Sequence, residues 1–347
     1  MRKKSAALFG VIILALGMMV GCAGRGENVS SEASEENQNT ESDGVVIRSS
    51  IFKSVSYDNQ LWLAVQTGLF DEEFKDDNVS VEFFEFANGP AANEALIAGQ
   101  LDVEHAVGDQ PMITGIVGGS KGVAIATQSR QSETQGVYTG SGSDIKTVAD
   151  LKGKRVGLGI GTFTHKCFIG VLEDAGLTED DIELVNLNTA DEQLSAYENG
   201  DIDAFVSNFV GLYDSLKDGR VVQLADFSTH PAYTFFVLRK DFIEKYPEIT
   251  QRLANVLVRV QKWEEENPEE AAKLVSDYTG LKYDAVLELR SKVDLQLDIT
   301  EEDKEQIEYT YNFLKNHDLL SSEVEDLSVF YDDVFIKKAI ETIESEQ

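Results

Sequence analysis

Apolar and polar positions over residues 45–240 alternate between two rhythms: short apolar runs of strand length, and stretches with apolar residues at helical spacing. Residues 45–51 (VVIRSSI) read as a strand. Residues 60–67 set Leu61, Ala64 and Val65 on a helix that stops at Gly68 with Leu69 behind it, a C-terminal cap pattern. Residues 79–86 return as a strand, 91–98 as a helix ending at Gly99, and 102–107 as a strand; Pro111 begins another helix and 123–127 form a strand. The scheme then repeats, with strand 155–159, helix 165–175 stopped by Gly176, strand 183–187, helix 191–199 stopped by Gly200, and strand 204–208. Strands alternating with short helices predict a parallel α/β sheet.

Two joints match in detail. Residues 95–102 (ALIAGQLD) and 196–203 (AYENGDID) each end a helix at a glycine and enter a strand, which predicts two similar lobes. After a late strand over 233–239 the chain becomes charged and helical, with Pro247 and Pro268 at helix starts and long helices over 248–267 and 301–316. Roughly three hundred residues after position 44 exceed one ordinary core, which also favours two lobes.

The N-terminal end has another pattern. Met1-Arg2-Lys3-Lys4 is basic, residues 6–20 are apolar, and Gly21-Cys22 follows, the layout of an export signal. The apolar run is short for a membrane span, which takes about 20 apolar residues, and no further span is expected. In residues 23–44 Val29 is the one large aliphatic side chain, so this stretch cannot offset the entropy of ordering and reads as a flexible linker.

Charge narrows the function. Sixty-two acidic against 30 basic residues give a net charge of −32, and removal of Arg2, Lys3 and Lys4 makes the mature chain more acidic still. That excludes nucleic acid as a partner, since its phosphates need basic patches. An anionic ligand would have to be held by local groups, helix N-termini above all. With two cysteines, Cys22 and Cys167, there is no disulfide framework, and Cys167 reads as a small buried apolar residue.

Met19-Val20-Gly21-Cys22 resembles the lipobox of bacterial lipoproteins, which implies signal cleavage and acyl chains, palmitate among them, on Cys22. Residues 81–102 (VEFFEFANGPAANEALIAGQLD) with Gly108-Asp109-Gln110-Pro111, and residues 150–157 (DLKGKRVG) with Gly161-Thr162-Phe163-Thr164-His165, 172–177 and 200–204, resemble the solute-binding proteins of ABC importers. The resemblance is to the aliphatic sulfonate, taurine and nitrate group, and covers most of the chain from residue 45. It implies an α/β, two-lobed, periplasmic-binding-protein-like fold (type II), with two crossing strands near 135–139 and 233–239 and a helical C-terminal extension packed on lobe 1. The implied organisation is a signal peptide over 1–21, a lipidated linker over 22–44, lobe 1 over 45–137, lobe 2 over 138–233, and the return strand and C-terminal helices of lobe 1 over 234–347.

Ligands of open α/β sheets bind beyond the carboxyl ends of strands, where helix N-termini converge. Gly108-Asp109-Gln110-Pro111 lies between a strand and a helix; Asp109 is expected to cap that helix, Pro111 to sit in its first turn, and Gln110 and the free amides to face ligand. In the opposing loop Thr162 and Thr164 offer hydroxyls and amides while Phe163 and His165 pack against ligand. Ser54, Ser56 and Tyr57 follow the first strand, Asn208 and Phe209 belong to Ser207-Asn208-Phe209, which stands where sulfonate-binding relatives commonly have Trp-Asp-Pro, and Tyr233 lies near the return crossing. Arg130 or Arg48 could pair with an anionic head group.

Other patterns lead elsewhere. Gly118-Gly119-Ser120-Lys121-Gly122 matches the G-x-S-x-G of hydrolases, but it links a helix to a strand, the reverse of a nucleophile elbow. Gly157, Gly159 and Gly161 evoke a dinucleotide fingerprint whose third glycine is replaced by Thr162. His105, His165, His230 and His317 are scattered, so no metal is expected. The expectation is a receptor without catalytic residues or cofactor, a monomer on the outer face of the cytoplasmic membrane, capturing an aliphatic sulfonate or taurine-like solute for an ABC permease and its ATPase subunit. Nitrate or a thiamine-precursor-like heterocycle are alternatives for the same fold, and a lipid-tethered hydrolase using Ser120 is the alternative of another class.

Overall fold

The structure, a computed structural model, describes residues 44–52 and 60–346. Cys22, Ser54, Ser56 and Tyr57 therefore lie outside the described residues. Strands β1 (Val45–Ile51), β2 (Val79–Glu85), β3 (Val103–Gly108) and β4 (Gly122–Gln131) belong to a first sheet. Strands β5 (Gln135–Gly140), β6 (Arg155–Leu158), β7 (Glu183–Asn186), β8 (Ala204–Asn208) and β9 (Val221–Asp226) form a second, and β10 (Ala232–Arg239) returns to the first. The orders are β2-β1-β3-β10-β4 and β7-β6-β8-β5-β9. The chain thus passes between sheets at 132–134 and 227–231, just ahead of the segments expected to cross.

Both sheets are mixed, the parallel strands expected from the sequence being joined by antiparallel ones. β1 pairs in parallel with β2 and β3, and β6 with β7 and β8, whereas β10 is antiparallel to β3 and β4, and β5 to β8 and β9. The antiparallel members are the strands that come over from, or follow, a passage between sheets, so they enter from the opposite end.

Helices α1 (Gln60–Gln66), α2 (Leu69–Phe74), α3 (Gly89–Ile97) and α4 (Asp109–Val117) serve the first sheet, and α5 (Phe163–Asp174), α6 (Ala190–Glu198) and α7 (Tyr213–Lys217) the second. Gly68, read as a helix stop, is left-handed at φ 78° and also opens α2, a helix the sequence pattern did not separate. The C-terminal helices are α8 (Lys240–Lys245), α9 (Pro247–Glu266), α10 (Pro268–Thr279), α11 (Tyr283–Arg290), α12 (Glu301–Asn316) and α13 (Val334–Ser345). α9 buries Leu253, Ala254, Leu257 and Val260 in one core with Leu61 and Leu63 of α1 and Ile336 of α13. Each large aliphatic side chain buried there contributes about 1.5–3 kcal/mol. α12 sends Ile307, Phe313 and Leu314 into a second core with Met112 and Ile113 of α4, so the extension is packed on the first lobe. No helix among the described residues is long and apolar enough to cross a membrane.

The two matched joints have the same anatomy. Gly99 and Gly200 are left-handed at φ 72° and 75°, a conformation glycine adopts without a Cβ penalty. Gln100 N–H returns to the Ala95 carbonyl and Asp201 N–H to that of Ala196. Asp102 then accepts from Arg48 at the backbone, Nε and Nη2, and Asp203 accepts from the same three groups of Arg155. Each carboxylate ties the joint to a parallel strand of its own sheet, so the sequence similarity marks a repeated structural unit. Arg48 is thereby occupied. So is Arg130, which clamps Asp303 with Nε at 2.8 Å and Nη2 at 2.6 Å and donates to the Gln296 and Asp298 carbonyls. Neither guanidinium is presented to a ligand.

Candidate functional site

A cavity of about 860 Å³ opens between the two sheets, beyond the carboxyl ends of their parallel strands. Four helices begin at its wall. α3 contributes Asn88 and Gly89, α4 Gly108 and Pro111, α5 Thr162, Phe163 and Thr164, and α6 Asn188, Thr189 and Ala190. The first N–H groups of a helix have no intrahelical partner and carry partial positive charge, so this convergence forms a set of anion-seeking donors.

Local sequence sets each helix start. Asn88 is the N-cap of α3 and accepts from Ala91 N–H at 3.1 Å, with Pro90 in the first turn where a missing N–H costs nothing. Thr189 caps α6 in a reciprocal box: its hydroxyl accepts from Glu192 N–H, and the Glu192 carboxylate accepts from Asn188 and Thr189 N–H. At α5 the Thr164 and Thr162 hydroxyls are 2.6 Å apart and Thr162 donates on to the Gly159 carbonyl at 2.7 Å. That chain orients the turn that opens α5 at the cavity wall.

The helices differ in how their N-termini are already compensated. α4 carries Asp109 in its first turn and α6 carries Asp191 and Glu192, whereas α3 and α5 carry no acid there. The best uncompensated donors are therefore those of α3 and α5, one from each lobe. The lobes touch at the same place: Asn88 Nδ2 donates to Asn188 Oδ1 at 3.0 Å, and a Cβ built on Gly108 would lie 2.5 Å from the Phe163 ring. Gly108→Ala is accordingly expected to weaken solute binding about tenfold, the equivalent of about 1.4 kcal/mol of overpacking, which isothermal titration against wild type would measure.

Among the sequence-derived candidates, Thr162, Phe163, Thr164 and Asn208 line the cavity. Others do not. Gly108, not Asp109, is the N-cap of α4; Asp109 is fully buried and its Oδ2 accepts from Lys166 Nζ at 2.6 Å. Gln110 turns away from the cavity and its Oε1 accepts Lys166 N–H at 3.1 Å. His165 faces Glu179 at 2.7 Å through Nε2 and accepts Gly161 N–H at Nδ1, holding that carboxylate below its ordinary range chiefly through this hydrogen bond. Phe209 packs edge-on against Tyr213, and the Tyr233 hydroxyl donates to Glu302. Asp109, Gln110 and Tyr233 are held by partners 57, 56 and 69 positions away in sequence, which no local pattern reveals. Missed were Asn88, Asn188 and Thr189; the signals present were Asn-Gly-Pro and the Thr-x-x-Glu capping box.

The alternative chemistries find no support in the geometry. Ser120 Oγ accepts Gly122 N–H within its own turn between α4 and β4. Among the described residues no group of three His, Cys, Asp or Glu is placed to hold a metal ion. Cys167 is buried in the core of the second sheet, and burial pushes its thiol up to about 12.

Residues 61–271 match the NMT1/THI5 like family. The chain belongs to this family. Among NMT1/THI5 like relatives, it is 28% identical over 338 residues to a Bacillus subtilis protein provisionally named for binding aliphatic sulfonates, covering 95% of this chain and 96% of that one. It is 27% identical to the taurine-binding periplasmic protein of Escherichia coli, over 56% of this chain and 61% of that one. The alkanesulfonate-binding protein SsuA of Xanthomonas axonopodis pv. citri, solved bound to MOPS, superposes with a TM-score of 0.73 at 22% identity, over 83% of this chain and 98% of SsuA. At that identity the likeness carries the two-lobed fold.

Proposed function

We propose that the protein is an extracytoplasmic solute-binding receptor of an ABC importer, capturing a small aliphatic sulfonate between its lobes for a permease and its ATPase subunit. The observation that carries this reading is the cavity between the two sheets, with uncompensated helix N-termini from both sides. The sulfonate head group sits between the starts of α3 and α5, where the first amides of each helix supply charge-assisted hydrogen bonds. The organic tail lies along Phe52, Phe86 and Phe163 of the wall. Binding favours closure because donors from both lobes reach one head group only when the lobes meet. No bond is made or broken. The names of the sulfonate- and taurine-binding relatives support the same class. The Cys22 tether keeps the receptor on the outer face of the membrane, as a monomer beside its importer.

The wall also favours a zwitterionic solute. Glu85, Asp191 and Asp214 line it together with Lys282, and Lys282 Nζ is 2.6 Å from an Asp214 oxygen. Acid at the rim suits an ammonium, which makes an aminosulfonate such as taurine a better fit than nitrate.

Isothermal titration of the mature chain against taurine, MOPS, a simple alkanesulfonate, nitrate and a thiamine precursor decides between these. The expected result is saturable heat with at least one sulfonate, lost in Asn88→Ala combined with Thr164→Pro. Binding of the cationic heterocycle alone would overturn the anion reading.

A further inference from the structure

The rear of the cleft holds a buried ion pair that joins the two lobes. Lys166 of α5 and Asp109 of α4 are 1% and 0% exposed, with Nζ to Oδ2 at 2.6 Å. The other donors of the ammonium reach the Pro231 carbonyl at 3.1 Å and the Thr310 hydroxyl at 3.2 Å. Pro231 belongs to the passage between sheets, and Thr310 to α12 of the first lobe. Asp109 accepts in addition from Thr310 at 2.8 Å, Gln306 Nε2 at 3.1 Å and its neighbour Gln110 N–H at 2.8 Å. Gln110 reaches across as well, accepting the backbone N–H of Lys166.

The partners divide unevenly. Every other hydrogen bond made to Asp109 comes from the first lobe and its C-terminal extension, so on opening the carboxylate keeps those donors and takes water from the opened cleft in place of the ammonium. Lys166 instead belongs to the second lobe and loses Asp109 and Thr310 if α5 swings away, keeping Pro231, which lies in the hinge itself. A well-solvated ammonium is an acceptable open state, and a three-coordinated buried one an acceptable closed state. The network therefore has two satisfied arrangements, which is what a switchable contact needs.

We propose that the Asp109–Lys166 pair, with Gln110 beside it, is a ligand-independent latch that sets the resting balance between closed and open lobes. It acts behind the cavity and touches no solute, so it tunes how often the empty receptor is closed without altering which solute fits. The proposal is independent of the identity of that solute.

The test measures the empty protein. Spin labels on Glu94→Cys of α3 and Glu198→Cys of α6, in the mature chain carrying Cys22→Ser, report the distance between lobes by pulsed electron resonance; Cys167 is buried and stays unlabelled. Asp109→Asn combined with Lys166→Met is expected to shift the ligand-free distance distribution to longer values. Gln110→Met, which removes the crossing hydrogen bond alone, is expected to shift it less in the same direction, and decides the matter if the double variant does not fold. Distributions identical to the parent in the folded variants would overturn the latch and assign the pair a purely structural role.

Discussion

Lys166→Met is expected to lower the free energy of unfolding by about 3–5 kcal/mol, the cost of leaving a buried charge without its partner. Asp109 is completely buried, and methionine fills the aliphatic volume of the lysine stem without supplying a cation. Thr310, Gln306 and Gln110 N–H would still donate to the carboxylate, but none neutralises it. Desolvation is the largest influence on the Lys166 ammonium and lowers its pKa; the groups around it, Asp109 first, together outweigh that and leave it raised. Asp109→Asn in the same background removes the orphaned charge, and the double variant is expected to regain most of the loss, because replacing a buried pair by uncharged groups of similar volume is often close to neutral. Urea denaturation of the three proteins measures this. A double variant no more stable than the single one would show that the pair itself, not the stranded carboxylate, carries the energy.

The pair also shows where a sequence stops being legible. Asp109, in a Gly-Asp-x-Pro loop, has the look of a helix cap facing ligand, and everything local agrees with that reading. What redirects it is Lys166, 57 positions away, and α12 a further 144 positions beyond Lys166, brought together only by the passage of the chain between sheets. Arg130 went the same way: an unassigned guanidinium in a strand becomes the clamp for Asp303, which completes the capping box of Thr300 at the start of α12. By contrast, helix starts and stops are written in adjacent residues. Asn88-Gly89-Pro90, Thr162 before α5, and the left-handed Gly99 and Gly200 all act within one turn, so the alternation of strands and helices and the likeness of the two joints were readable. The mixed sheets were not, since the direction of β5 and β10 depends on which lobe the chain has just left. The cleft lay between these cases. Its walls are helix starts, which are local, but its selection among them turns on which N-termini are already neutralised.

Glu104→Met is expected to stabilise the protein by about 1–3 kcal/mol at neutral pH, the penalty that a buried polar group left without a hydrogen bond carries. Glu104 lies in the middle of the first sheet, opposite Val237 of β10, and is completely buried. Among the described residues neither carboxyl oxygen has a hydrogen-bond partner, and no ion pair is made to it. Burial therefore pushes its pKa well above the ordinary 4.5. Because the folded state holds this proton more tightly than the unfolded chain, the group's contribution to stability is fully present below about pH 4.5 and is lost as pH rises through the raised folded value. Wild type should accordingly lose stability across that window, against the background of its other titrating groups, and the methionine variant should lose less. Paired urea titrations at pH 4, 6 and 8 read the difference directly. A stability gap between the two proteins that does not widen with pH would place a compensating partner beside Glu104 and remove the argument. The carboxyl sits on the same strand as Ala106 and Gly108, which line the cavity. A change in solute affinity in the variant would show that the unpartnered carboxyl of Glu104 is coupled to the cleft through β3.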